Sequence, residues 1–236
     1  VSRNMVMRVD HLKMWLRRLA LSGYNMVMLY TEDVYKLPDE PFFGYMRGAY
    51  TLDELRELDL YASRLGIELV GCIQTLGHLE QILKWNGAYD KVRDTGSVIR
   101  VDEAETYKLI EKMLRFWSEA LTSRRIHIGM DETHDLGRGR FLDLHGYESG
   151  FDLFNRHLGK VNELCRKTGL SPLIWSDMYF RFSNPNQDYY DLEHKVPESV
   201  RKKIPQNVQL VYWDYYHEDA AMYEKMIRRH RDIGSE

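Results

Sequence analysis

Two cysteines in 236 residues leave no room for a disulfide framework. Cys72 falls in an expected strand and Cys165 in an expected helix, so both read as buried thiols in a reducing compartment, and a cytoplasmic location is the expectation. No apolar run approaches the roughly 20 residues that a membrane-spanning helix needs. Nor is there a block of like charge. The 33 Lys and Arg are dispersed among 36 Asp and Glu for a net charge of −3, which gives no electrostatic ground for nucleic acid or a membrane as partner. Nucleotide-binding signatures are missing: no GxGxxG follows a strand, and no GxxxxGK precedes Ser or Thr. No domain linker, low-complexity tract or internal repeat interrupts the chain. No secretory signal is read, but the chain opens at Val1 and not at Met, so its true N-terminus is expected to lie outside this sequence.

What is present suits one large domain over residues 1–236, because 44% of the residues are hydrophobic and can form a substantial core. Apolar residues at helical spacing predict a helix over 7–22, stopped by Gly23, and a strand over 24–30. Thr51 and Glu54 form a capping-box pattern for a helix to Leu65, closed by Gly66, with a strand over 67–74. Asp102 is expected to cap a helix to about Leu121 that leads into a strand at 126–129. A helix over 150–168, a strand over 173–175, a strand-like segment at 208–213 and a helix from Asp219 follow. Five strands are expected, with a further weak one in 176–207 as the only route to a sixth. Strands alternating with amphipathic helices imply an α/β fold with a parallel sheet, and an open doubly wound sheet and a closed barrel both fit. Loops at 31–50, 83–101 and 176–207 exceed ordinary connections and read as binding loops.

Residues 125–140, RIHIGMDETHDLGRGR, place Asp131 and Glu132 where a short strand should end. Two carboxylates at a strand mouth can divide the work of acid and base, one protonated and its neighbour ionised. Neighbours in a regular strand point to opposite faces, so both reach one cleft only if the pleat breaks at Met130 or Asp131. A solvated junction between strand and loop is the plainer alternative for any Asp-Glu pair.

HIGMDE resembles the HxGGDE signature of the family 20 glycoside hydrolases, the β-N-acetylhexosaminidases, with Met130 in place of the second glycine. The resemblance runs from SRN near the start through YTED, FFGYMRGAYT and QTLGHLE to IWSD and YWDYY, and is strongest to the branch with hexosaminidase D-type enzymes. It implies a (β/α)8 TIM-type barrel, here an incomplete one that lacks strand one and the last two βα units. It also implies a retaining exo-β-N-acetylhexosaminidase acting on terminal N-acetylglucosamine or N-acetylgalactosamine of an oligosaccharide or glycoconjugate, with no cofactor and no metal. In such enzymes the substrate's own acetamide oxygen attacks the anomeric carbon and forms an oxazolinium intermediate.

By that resemblance Glu132 is the general acid and base, Asp131 orients the acetamide, and Tyr212 donates to the acetamide oxygen. Asp214 and Arg3 bind sugar hydroxyls, Trp175 and Trp213 wall the pocket, and His78 orients the acidic site. Glu32 and Asp177, which also follow strands, are further candidates, and His127 anchors the signature from within its strand. Taken alone, the aromatic residues also fit core positions and the histidine a structural hydrogen bond. Met130, and Gln-Thr-Leu in place of Asp-x-Pro before Gly77 and His78, depart from the commonest pattern and bear on substrate preference more than on the reaction. Two other readings remain: a glycan-binding barrel without turnover, and a metal-dependent barrel hydrolase using His127, Asp131, Glu132 or His134, whose spacing does not form HExxH.

Overall fold

The computed structural model describes residues 5–234. Among them the order is α1 (Val9–Leu21), β1 (Met26–Glu32), α2 (Leu52–Arg64), β2 (Glu68–Ile73), α3 (Glu80–Leu83), α4 (Ala104–Ala120) and β3 (Arg125–His127). There follow α5 (Arg140–His145), α6 (Gly150–Lys167), β4 (Ser171–Trp175), α7 (Asp177–Ser183), α8 (Glu198–Arg201), β5 (Gln209–Val211) and α9 (Ala220–Asp232). The five strands pair in sequence order, and every pair is parallel. Each strand is followed by a helical crossover, and α1, α2, α4 and α6 pack side by side in that order. This is a partial (β/α)8 barrel, as expected. The segment 176–207 holds α7 and α8 but no strand, so the described residues form five strands and not six.

Local chemistry explains most boundaries. The Thr51 hydroxyl accepts the Glu54 N–H at 3.2 Å and the Glu54 carboxylate accepts the Thr51 N–H at 2.8 Å, which is the reciprocal cap that starts α2. Asp219 caps α9 as expected. Asp102 does not cap α4; Glu103 does, accepting the Glu105 N–H. The Asp102 carboxylate is drawn instead to two cations on α6, Arg156 Nε at 2.7 Å and Lys160 Nζ at 2.5 Å, which are stronger partners than a neutral backbone N–H.

The sheet and helix layers meet closely at Gly71, in the middle of β2. A side-chain carbon there would lie 2.6 Å from the ring of Trp117 on α4, a residue that is itself buried. No helix of the described residues is long and apolar enough to cross a membrane.

β3 is shorter than expected because Gly129 and Met130 take left-handed backbone angles, φ 71° and 74°. Its neighbour still follows it, since Ile128 N–H donates to Leu173 O at 2.9 Å and Trp175 N–H donates to Gly129 O at 3.1 Å. The rigid frame thus extends past the last regular strand residue to the signature itself.

Gly71→Ala is expected to lower stability by about 1–3 kcal/mol through overpacking against Trp117. Gly159→Ala, in α6 with nothing within 4 Å of the added carbon, is expected to raise it by about 0.5–1 kcal/mol. Denaturant midpoints that move in opposite directions for the two variants check this packing; equal shifts contradict it.

Candidate active site

Among the described residues, those singled out from the sequence lie at the C-terminal ends of consecutive strands, the edge where barrels carry their sites. The backbone bends sharply there. Glu32, His78, Met130 and Glu132 all have positive φ, at 41°, 52°, 74° and 49°. Such angles cost a residue with a side chain about 1–2 kcal/mol each, and they concentrate where geometry matters more than stability. They supply the expected break in the pleat, which brings the Asp131 and Glu132 side chains to one place. Gly129 has a steric requirement as well: a side-chain carbon on it would sit 2.0 Å from Gln74 Oε1.

The two carboxylates converge on one imidazole. His78 Nε2 lies 3.2 Å from Asp131 Oδ2 and 3.3 Å from Glu132 Oε2. On its other side Asp131 Oδ1 accepts Gln74 Nε2–H at 2.8 Å, and the Gln74 amide oxygen in turn accepts Met130 N–H at 3.3 Å. Both Asp131 oxygens therefore have a fixed donor. The hydrogen bond and charge of Asp131 raise His78 to about 9 against the opposing effect of burial, so its ring is an imidazolium at neutral pH. Glu132 is the more exposed acid, with 34% of its side chain open against 14% for Asp131. It presents a carboxyl at the cleft, and Asp131 supports it from within.

Asp177, read from the sequence as a sugar contact, is buried behind this pair, where its Oδ2 accepts the Glu132 N–H at 3.0 Å. Burial pushes its carboxyl up to about 7, the charge of Asp131 adds to the rise, and the Glu132 N–H opposes it. Glu32 is buried too, and accepts the Tyr30 phenol at 2.9 Å. Tyr30 also accepts from Gln74 at 3.3 Å, so Glu32 connects to Asp131 through two side chains.

His127 behaves as an anchor. It is fully buried, its Nδ1 accepts the Gly129 N–H at 3.1 Å, and Trp175 packs on its ring at 4.2 Å. Burial lowers its pKa to about 4. His134 points away to the Tyr189 hydroxyl. Neither histidine named for the metal-dependent alternative joins the carboxylates; His78 occupies that position.

Tyr212 and Asp214 form a separate group at the end of β5. The Tyr212 phenol donates to Asp214 Oδ2 at 2.5 Å, and the same carboxylate accepts from His217 Nδ1 at 2.8 Å and from the backbone of residues 216 and 217. Burial raises the Asp214 carboxyl, but these donors outweigh it and hold the pKa down at about 2. Trp213 follows Tyr212 in sequence, with its ring 5.5 Å from those of Tyr189 and Tyr215 and 5.9 Å from that of Tyr190. Arg3 lies outside the described residues. Gln74 and Tyr30 were missed by sequence reasoning. A signal for Gln74 existed, since it occupies the acidic position of the Asp-x-Pro-Gly-His pattern.

The two raised values act in the same direction with pH. Asp177 contributes stability that is full below its ordinary 3.8 and is lost as pH rises through about 7; the His78 ion pairs contribute fully below 6.5 and lose strength through about 9. Asp177→Asn keeps an acceptor for the Glu132 N–H and carries no charge. Its thermal midpoint is expected to match that of the parent below about pH 4 and to exceed it at pH 8, by the equivalent of about 1–3 kcal/mol. Parallel pH profiles for the two proteins contradict the assignment.

Human hexosaminidase D is 29% identical over 210 residues, covering 82% of this chain and 39% of the human protein. Bovine hexosaminidase D is 26% identical over 225 residues, 86% of this chain and 59% of its own length. The chain thus spans about four to six tenths of these curated relatives. Among solved structures, a Streptomyces plicatus β-hexosaminidase in complex with the product GlcNAc superposes with a TM-score of 0.70 at 19% identity, over all of this chain and 45% of that one. The model of the glycosyl hydrolase family 20 catalytic domain matches residues 28–232. That span takes in every strand end described above but the first residues of β1, and the chain belongs to glycosyl hydrolase family 20 as part of its catalytic domain.

Proposed function

We propose that the chain carries the catalytic site of a retaining exo-β-N-acetylhexosaminidase that works by substrate assistance. The observation behind this reading is the convergence of Asp131 and Glu132 on His78, with both Asp131 oxygens supplied with donors and Glu132 the more open of the two acids. Family membership and the hexosaminidase relatives support the substrate class, and the GlcNAc bound to the Streptomyces enzyme supports an acetamido sugar.

In this account Glu132 protonates the glycosidic oxygen as the acetamide oxygen attacks the anomeric carbon, and the bond to the aglycone breaks. Asp131, oriented by Gln74 and His78, accepts the acetamide N–H and offsets the positive charge that develops on nitrogen. Glu132, now ionised, takes a proton from water as that water opens the oxazolinium ring at the anomeric carbon. Two inversions at that carbon leave the configuration retained. The Tyr212 phenol serves the acetamide oxygen once the sugar displaces its bond to Asp214, and Asp214 then accepts a sugar hydroxyl. Trp175 and Trp213 contribute apolar walls, and Arg3 binds sugar hydroxyls.

The test compares an aryl N-acetyl-β-glucosaminide with the matching aryl β-glucoside, using the chain expressed within its whole reading frame. Hydrolysis of the acetamido sugar alone, with the β-anomer released first, is expected. Glu132→Gln is expected to lower kcat about 10²–10⁴-fold and Asp131→Asn at least about 10²-fold. Equal turnover of both sugars, or binding of the acetamido sugar without hydrolysis, contradicts the proposal; the second result identifies a glycan-binding barrel.

A further inference from the structure

Another buried histidine, His157, has no place in the chemistry above. His157 lies in the middle of α6, in the outer helical layer, and is fully buried. Its Nε2 is 2.9 Å from the carbonyl oxygen of Thr75, and its Nδ1 is 3.2 Å from the hydroxyl of Tyr107 on α4. A carbonyl only accepts, so Nε2 carries the proton, and Nδ1 of the neutral ring must accept from the phenol. The Tyr107 oxygen accepts in turn from the Asp102 N–H at 3.3 Å. Burial lowers the pKa of His157 to about 4, in keeping with a neutral ring. Every donor in this chain of bonds has one direction available.

Thr75 is the point of contact with the site. It lies beyond the end of β2, where Thr75 O has no strand partner, between Gln74, which holds Asp131, and the turn that carries His78. Its hydroxyl donates to Ile128 O at 2.8 Å, next to Gly129 of the signature. The segment 74–78 therefore runs outside the sheet ladder with His78 at a strained backbone angle, and Thr75 ties it both to the signature and, through His157, to the helix layer. An apolar residue at position 157 would fill the space at lower desolvation cost and leave that carbonyl unpaired.

We infer that His157 is a positioning residue, which fixes the strand end bearing Gln74 and His78 against the Asp131-Glu132 pair through its hydrogen bond to Thr75 O. Tyr107 sets the tautomer that makes this bond possible. Asp102, drawn to Arg156 and Lys160, secures Tyr107 and the helix together.

Three variants in the whole protein test this inference. His157→Leu removes both bonds at similar bulk, His157→Gln keeps a donor for Thr75 and an acceptor for Tyr107, and Tyr107→Phe leaves Nδ1 without its donor. On the aryl N-acetyl-β-glucosaminide, His157→Leu is expected to lower kcat about 10–100-fold, as a small misplacement of catalytic groups does, with KM changed less than about 3-fold. His157→Gln is expected to recover most of the loss, and Tyr107→Phe to fall between.

A second readout needs no turnover. In the substrate-free protein at pH 7, the ring resonances of His78 are expected to shift away from those of an imidazolium paired through Nε2 with the two carboxylates in His157→Leu and to return in His157→Gln. The kinetic part rests on the function proposed above, whereas the resonance part does not, so a parent protein without activity leaves the resonances to decide. An unchanged His78 spectrum in a folded His157→Leu overturns the inference. So does a His157→Gln as impaired as His157→Leu, which marks the residue as packing alone. If His157→Leu does not fold, Tyr107→Phe carries the same two readouts and decides on the same terms.

Discussion

One imidazole shared by two adjacent carboxylates is the interaction on which the rest of the site depends. Adjacent residues of a pleated strand face opposite ways, so Asp131 and Glu132 reach His78 together only because the backbone turns left-handed at 129, 130 and 132. That turn is unfavourable by itself. It is held by Gln74 at Asp131 and Met130, by Asp177 at Glu132 and by His127 at Gly129, and each of these residues is buried just within or beyond a strand end. Strain at the strand ends and rigidity beneath them are therefore two aspects of one design: the ladder supplies stability that the last residues of each strand give up for position.

Electrostatics follow from the same arrangement. Pairing an imidazolium with two carboxylates stabilises its charge, while burial and the charge of Asp131 draw Asp177 toward its neutral form near pH 7. The charge of Asp131 acts on both His78 and Asp177 and raises both. Tyr212 and Asp214 are bound to each other at the end of β5, where Trp213 packs against Tyr189, Tyr190 and Tyr215.

Much of this was legible in the sequence. Capping patterns and helical spacing located the long helices to within a residue or two, and the α-then-β rhythm implied the parallel sheet. The need for a pleat break at 130 or 131 followed from the period of a strand alone. Other features were hidden for physical reasons. Asp102 looked like a cap because the competing cations lie more than fifty positions away, on a helix that only folding brings near. Gln74 and His157 act through contacts with Asp131 and Thr75, and no local pattern marks a polar residue that serves a distant backbone. Asp177 resembled any carboxylate after a strand, and its burial depends on how the following loop folds back.

The central claim is that the acetamide oxygen of the substrate is the nucleophile and that Asp131 steadies the charge it acquires. Successive fluorination of the N-acetyl methyl group weakens that oxygen as a nucleophile while leaving the sugar ring and the aglycone untouched. The account predicts that kcat/KM falls steeply with each added fluorine, and that Asp131→Asn shows a lower rate across the whole series. A rate independent of fluorine number contradicts it, because an enzyme carboxylate or a directly activated water is then the attacking group.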